Sequence, residues 1–295
     1  MATDRDPEPA GGAKPSAVFD DRACALGEGA LWHPLRRQFF WFDILGRRLL
    51  SRTEDGPEAW PMAELASTAG WIDRDTLLLA TETGLDRFDI GNGARRRLAR
   101  IEADRPETRS NDGRADPWGG FWIGTMGKTA EPGAGALYRY FEGRVARLYT
   151  ELTIPNAICF APGGRRAYFA DTPRQRVWTV PLDAQGWPAG APDVFLDLGC
   201  EGLNPDGAVT DAEGGLWLAQ WGAGRVARYR PDGRIDRALA VPARQCTCPA
   251  FGGDAMDRMI GNSACEGMER PGAADGRTFT LDPGCAGMPE PPVRP

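Results

Sequence analysis

The chain has 295 residues, 38 of them glycine and 25 proline, so it is interrupted too often for long helices and has the profile of short strands joined by tight turns. A net charge of −6 gives no long-range attraction to a phosphate backbone, and no nucleic-acid partner is expected. No apolar run is long enough for a signal peptide or a membrane span, and seven cysteines without a dense framework point to free thiols and a cytoplasmic setting.

Residues 1–16 are polar, rich in proline and glycine and without periodicity, which predicts a disordered tail ahead of one domain at 17–295. Order is expected to begin at the strand Ala17-Val18-Phe19-Asp20. Six comparable units follow at a spacing of about 40–50 residues, the period of a propeller or solenoid. The first holds Gly29-Ala30-Leu31-Trp32 and Gln38-Phe39-Phe40-Trp41-Phe42-Asp43; the second runs from Thr68 through Leu77-Leu78-Leu79 to Phe88. The basic run Arg95-Arg96-Arg97, followed by Glu102 and Asp104, reads as a solvated surface turn. The third unit starts at Asn111-Asp112-Gly113, turns at Asp116-Pro117-Trp118-Gly119-Gly120 and continues through Phe121-Trp122-Ile123. The fourth uses Asn156-Ala157-Ile158 and Tyr168-Phe169-Ala170, and the fifth Gly207-Ala208-Val209 and Leu216-Trp217-Leu218. The sixth spans about 247–281 and should be the least regular, because Gly261 stands where a β-branched residue is expected.

One such sheet cannot bury both of its faces, whereas six stacked radially can, and the strand at Val18 is placed to complete the last blade and remove the exposed edges. The expected fold is an all-β, six-bladed β-propeller with one central metal site. The tryptophans at 32, 122, 217 and 221 are expected mainly as interblade core.

In a propeller the innermost strands line the channel, and Glu28, Asn111, Asn156 and Asp206 are each expected at the start of one. A hard cation takes several oxygen ligands, and Glu28, Asn156 and Asp206 supply two carboxylates and an amide from three blades. Taken singly, Asn-Asp-Gly and Pro-Asp-Gly are also ordinary turn sequences. His33, the only histidine, sits in a turn context, which predicts a structural role and rules out a histidine-rich zinc site. Cys246-Thr247-Cys248 has no second pair at zinc-site spacing and reads as buried small apolar residues. Nucleotide chemistry has no support, since neither a Walker loop nor a Rossmann glycine fingerprint is present.

Several stretches in order resemble the senescence-marker-protein/gluconolactonase/regucalcin-like family from about residue 18 to residue 294. They are Leu26-Gly27-Glu28-Gly29-Ala30-Leu31-Trp32, Arg109-Ser110-Asn111-Asp112-Gly113, Trp122-Ile123-Gly124-Thr125-Met126, Ile154-Pro155-Asn156-Ala157, Asn204-Pro205-Asp206-Gly207 and Cys248-Pro249-Ala250-Phe251-Gly252-Gly253. The resemblance implies a six-bladed propeller that binds one divalent metal and hydrolyses sugar lactones. It implies Glu28, Asn156 and Asp206 as metal ligands, Arg109 and Asn111 as substrate contacts, and Asp206 as general base. Two departures stand out: Ala30 replaces the usual proline, and Gly127-Lys128-Thr129 stands where some relatives carry an acidic substrate contact.

The expected function is therefore metal-dependent opening of an aldonolactone (gluconolactone or a galactono-, arabino- or xylono-lactone). The metal would act as Lewis acid, with Asp206 or a metal-bound hydroxide supplying the activated water. Calcium, zinc, manganese, magnesium and iron(II) all suit an open oxygen-rich site. The alternatives are a divalent-cation-binding propeller without turnover and a WD-like scaffold; neither needs Arg109 and Asn111 beside the ligands. The loops 126–135 and 199–204 are expected over the channel mouth. A propeller that closes its own edges is compatible with a monomer.

Overall fold

The computed structural model describes residues 16–295, so the expected tail at 1–16 lies, apart from Ser16, outside the described residues. Six four-stranded antiparallel sheets stand around a central channel as blades one to six, the architecture expected from the repeat. Blade one is Gly27–His33, Gln38–Asp43, Arg48–Thr53 and Gly56–Pro61. The innermost strands of blades two to six are Ala66–Asp73, Thr108–Ala115, Pro155–Phe160, Asn204–Thr210 and Gln245–Gly252.

The ring closes as the first strand predicted. Ala17–Asp20 pairs antiparallel with Thr278–Leu281, placing Ala17 opposite Thr280. Asp20 then latches the closing strand to blade one: its buried carboxylate accepts from Arg22 Nε at 2.8 Å and from Arg52 Nε at 2.9 Å. The closing strand gives blade six its fourth strand and covers the edge of Thr278–Leu281 that would otherwise be open.

Each second strand is aromatic or aliphatic because both of its faces are covered by neighbouring blades. Trp41, Trp122 and Trp217 are fully buried there, and truncating one would cost about 3–5 kcal/mol. Two blades share a turn device. Asp116 Oδ1 accepts from the Trp118 and Gly120 amides, and Oδ2 accepts from Arg139 Nε at 2.7 Å. Asp211 does the same with the Glu213 and Gly215 amides and Arg228 Nε, also at 2.7 Å, and adds Trp217 Nε1 at 2.8 Å. The final glycine of each turn is required, since a Cβ at Gly120 would lie 2.4 Å from Asp116 Oδ2 and one at Gly215 would lie 2.6 Å from Asp211 Oδ2.

Segment 286–294 crosses the far mouth of the channel, where the innermost strands end. The Gly287 amide donates to Met256 O, the Val293 amide to Trp71 O and the Arg294 amide to Gly119 O, each at 2.8 Å. Glu290 reaches into the channel to pair with Arg114.

Three local expectations are corrected. Arg95-Arg96-Arg97 opens the outermost strand of blade two, Arg95–Arg100, and is not a turn; Arg97 pairs with Asp86 at 2.6 Å and Glu64 at 3.0 Å, so opposite charges hold the basic run in a strand. Blade six is the least regular, as expected, but not through its second strand: Arg258–Ala264 is regular, and the four-residue strands are the third, Thr278–Leu281, and the closing Ala17–Asp20. Gly261 is fitted to that packing, because a Cβ there would sit 3.1 Å from Leu281 Cδ1. Asn111 is the fourth residue of its strand, which begins at Thr108. Among the described residues, no helix is long and apolar enough to cross a membrane.

Candidate active site

The innermost strands share a feature that was not legible as pattern: each breaks its pairing register in its first half. The irregularity falls between Glu28 and Leu31 in blade one, Ser110 and Gly113 in blade three, Asn156 and Cys159 in blade four, and Pro205 and Ala208 in blade five. Glu28 and Asn156 are the last paired residues before it, whereas Asn111 and Asp206 are the first within it. A bulge re-aims the local side chains, here toward the axis. The residue after Glu28 is Gly29 with φ +59°, and the residue after Asn156 is Ala157 with φ +54°. A left-handed alanine costs about 1–2 kcal/mol, and the packed strand around it holds it there. Gly29 admits no side chain, because a Cβ would meet Ser67 O at 2.2 Å.

Aspartates at the ends of the second strands pin the segments leading to these residues. Asp43 Oδ1 accepts from the Leu26 amide at 3.1 Å, two residues before Glu28. Asp171 Oδ1 accepts from the Ile154 amide at 2.9 Å, two residues before Asn156.

All five residues singled out from the sequence line one cavity of about 380 Å³ at the near mouth of the channel: Glu28, Arg109, Asn111, Asn156 and Asp206. Asn111 Nδ2 donates to Asn156 Oδ1 and to Pro155 O, both at 3.0 Å. Asn156 Nδ2 donates to Thr172 Oγ1 at 2.9 Å, which fixes the amide with Oδ1 toward Asn111. Arg109 Nη1 donates to Asn111 Oδ1 and to Ser110 O, both at 2.9 Å. Its Nε and Nη2 have no hydrogen-bond partner among the described residues and are available to a bound molecule.

The electrostatics of the cavity are unbalanced. Burial pushes the Glu28 carboxyl up to about 8, with the nearby charge of Asp112 adding to the effect. Burial, then the charges of Glu28 and Asp112, push Asp206 well above the usual carboxylate range. Burial also raises Asp112, against the pull of Arg114. Arg109 is shifted down by burial, although Glu266, Glu28 and Asp206 all favour its charge. Desolvated carboxylates that repel one another, with an oriented amide oxygen beside them, form a donor set that a hard divalent cation fits.

Sequence reasoning missed four neighbours. Asp112 sits in the same bulge as Asn111, and its place in Asn-Asp-Gly was the available signal. Thr172, from a short 3-10 turn Thr172–Arg174, and Glu266, beyond the second strand of blade six, had none. Trp221, expected as interblade core, packs half-buried against the apolar cluster that includes Leu26 and Ala264, and at the end of its strand it also lines the cavity. Trp32, Trp122 and Trp217 are buried as expected. Of the two predicted loops, 126–135 supplies Met126, Lys128, Thr129 and Ala130, while 199–204 supplies none of the lining. His33 is buried and structural, its Nε2 lying 3.0 Å from Asp73 O. Cys246 and Cys248 are buried free thiols.

The SMP-30/Gluconolactonase/LRE-like region matches residues 26–264. L-arabinolactonase of Azospirillum brasilense is 37% identical over 95% of this chain and 95% of its own. Pentonolactonase of Haloferax volcanii is 35% identical over 92% and 95%. Among solved structures, the calcium-binding protein regucalcin of Agrobacterium tumefaciens superposes with a TM-score of 0.92 at 39% identity, covering 95% of this chain and 98% of that one.

Proposed function

This chain belongs to the SMP-30/gluconolactonase/LRE-like family, and on that premise we propose that it hydrolyses sugar-derived lactones to the free aldonic acids with the help of one divalent cation. The observation that carries the reading is the convergence of Glu28, Asn156 and Asp206 with Arg109 and Asn111 in one cavity. A pure cation binder needs the first three and has no use for an arginine whose free guanidinium edge faces the cavity.

Glu28, Asn156 and Asp206 would hold the cation, which when bound would polarise the lactone carbonyl and acidify water. Asn111 orients Asn156 and, with Arg109, offers donors to the carbonyl oxygen or ring hydroxyls of a polyhydroxy substrate. Asp206 accepts the proton of the attacking water as the new C–O bond forms. The ester C–O bond then breaks, the ring oxygen leaves with a proton as a hydroxyl, and the product acid ionises. The arabino- and pentono-lactones of the named relatives are the first substrates to try, and calcium, from the Agrobacterium relative, is the first ion.

The test is proton release from a panel of aldonolactones by metal-stripped protein, protein resupplied with single divalent ions, and Asp206→Ala. Ion-restored turnover absent from the variant supports the lactonase. Ion binding without turnover on any lactone sinks it and leaves the second reading, a cation-binding propeller like the calcium-binding Agrobacterium relative.

A further inference from the structure

Lys128 and Glu266 face the cavity from blades three and six, which stand across the ring from each other. The charge of Lys128 is answered within the protein: its Nζ lies 2.5 Å from Glu82 Oε2 and donates to Pro106 O at 2.8 Å. Glu266 is held differently. Its main-chain carbonyl accepts from Gln245 Nε2 at 3.1 Å, the preceding Cys265 amide donates to Ala25 O at 3.1 Å, and the turn closes with the Met268 amide on Cys265 O at 3.1 Å. The backbone is fixed while the carboxylate has no hydrogen-bond or ion-pair partner among the described residues, and it lines the same cavity as Arg109.

We propose that Glu266 accepts hydrogen bonds from the hydroxyl groups of the bound lactone, and that it selects neutral polyhydroxy lactones over lactones bearing a carboxylate or sulfonate. The proposal rests on the lactonase reading above. A carboxylate can only accept, so a ring hydroxyl satisfies it, whereas an anionic substituent brings like charges together beside the exposed Glu266. Lys128 offsets this repulsion only in part, because Glu82 and Pro106 take two of its three donors. Sites built to bond a substrate hydroxyl discriminate through the polar group left unpaired when the hydroxyl is missing.

The test uses the full chain loaded with the ion that supports turnover, or with calcium if none does. Glu266→Ala and Glu266→Gln are compared with the unaltered protein on a neutral aldonolactone, on an aldarolactone carrying a carboxylate, and by calorimetry on a cyclic anhydro-alditol, which has the ring hydroxyls but no ester to open. Loss of a hydrogen bond to a charged group predicts that Glu266→Ala raises KM for the neutral lactone about tenfold or more with kcat nearly unchanged, and weakens anhydro-alditol binding to the same degree. Glu266→Gln is expected to raise kcat/KM on the aldarolactone about tenfold. A merely structural role would instead lower kcat and the melting temperature together. If the unaltered protein opens no lactone but binds the anhydro-alditol, and Glu266→Ala loses that binding, the hydroxyl contact stands and the lactonase reading falls. Unchanged KM and unchanged anhydro-alditol affinity in Glu266→Ala overturn the proposal, as does an unaltered protein that neither binds the polyol nor opens a lactone.

Discussion

Asn111 of blade three donates from Nδ2 to Asn156 Oδ1 of blade four at 3.0 Å. An amide predicted to touch substrate thereby orients an amide predicted to hold the cation, and Arg109 in turn bonds to Asn111 Oδ1 at 2.9 Å. The substrate side and the cation side of the cavity form one hydrogen-bonded unit, so neither can be altered without the other.

Asn111→Ala should therefore act on both sides. It removes the donor to Asn156 and Pro155 and the acceptor for Arg109. The expected outcome is a loss of about tenfold to hundredfold in kcat/KM with weaker cation binding. Steady-state kinetics and calorimetry on the variant check it, with circular dichroism confirming the fold.

Chelation should lower the melting temperature. An ion bound only to the folded state adds about 2.7 kcal/mol at a hundredfold excess over Kd, and here it would also relieve the repulsion between Glu28 and Asp206. Thermal melts with and without ion should differ by several degrees for the unaltered protein. Asp206→Ala should show no such difference. An equal ion response in the variant would place the cation elsewhere.

Asp211 should govern part of the acid limb of stability. Burial alone would raise its carboxyl, but the bonds from Arg228, the Gly215 amide and Trp217 outweigh it and hold the group below its usual range. A folded-state pKa below the unfolded one gives stability that is present above the ordinary aspartate value, about 3.9, and is lost as pH falls through the lower folded value. Asp211→Asn should cost about 3 kcal/mol at neutral pH, and the gap from the unaltered protein should narrow below pH 4 or so. Urea midpoints across that range measure it.

Glu290→Ala should destabilise the protein without changing KM. Arg114 would remain buried with only the carbonyls of Ile158 and Ala208, each at 3.2 Å, and no counter-charge from the C-terminal segment. Removing one partner of a buried pair costs about 3–5 kcal/mol. The segment crosses the opposite mouth from the cavity, so kinetics at temperatures where the variant stays folded should show an unchanged KM.

By itself the sequence determined the number of blades, the closing strand and Glu28, Asn111, Asn156 and Asp206 as channel-facing residues, because each depends on local chemistry; Arg109 was implied by the family resemblance. Glycine turns recur at a fixed spacing, continuous apolar runs mark strands covered on both faces, and Glu28, Asn156 and Asp206 stand at matching points of the repeat. Where a side chain's surroundings come from distant chain, the sequence was silent or misleading. Trp221 looks like Trp217 in composition, yet one lines the cavity and the other is fully buried, since only position along the strand separates them. Arg95-Arg96-Arg97 reads as a solvated turn until Glu64 and Asp86 are brought alongside. Glu266 has no local motif, and its place opposite Lys128 is a product of ring closure. The bulges that turn Asn111 and Asp206 toward the axis are register shifts between strands, and register is a property of a pair. Tertiary structure alone decided which of the oxygen-bearing turns share one cavity, because six blades around one axis convert matching positions in the repeat into neighbours in space.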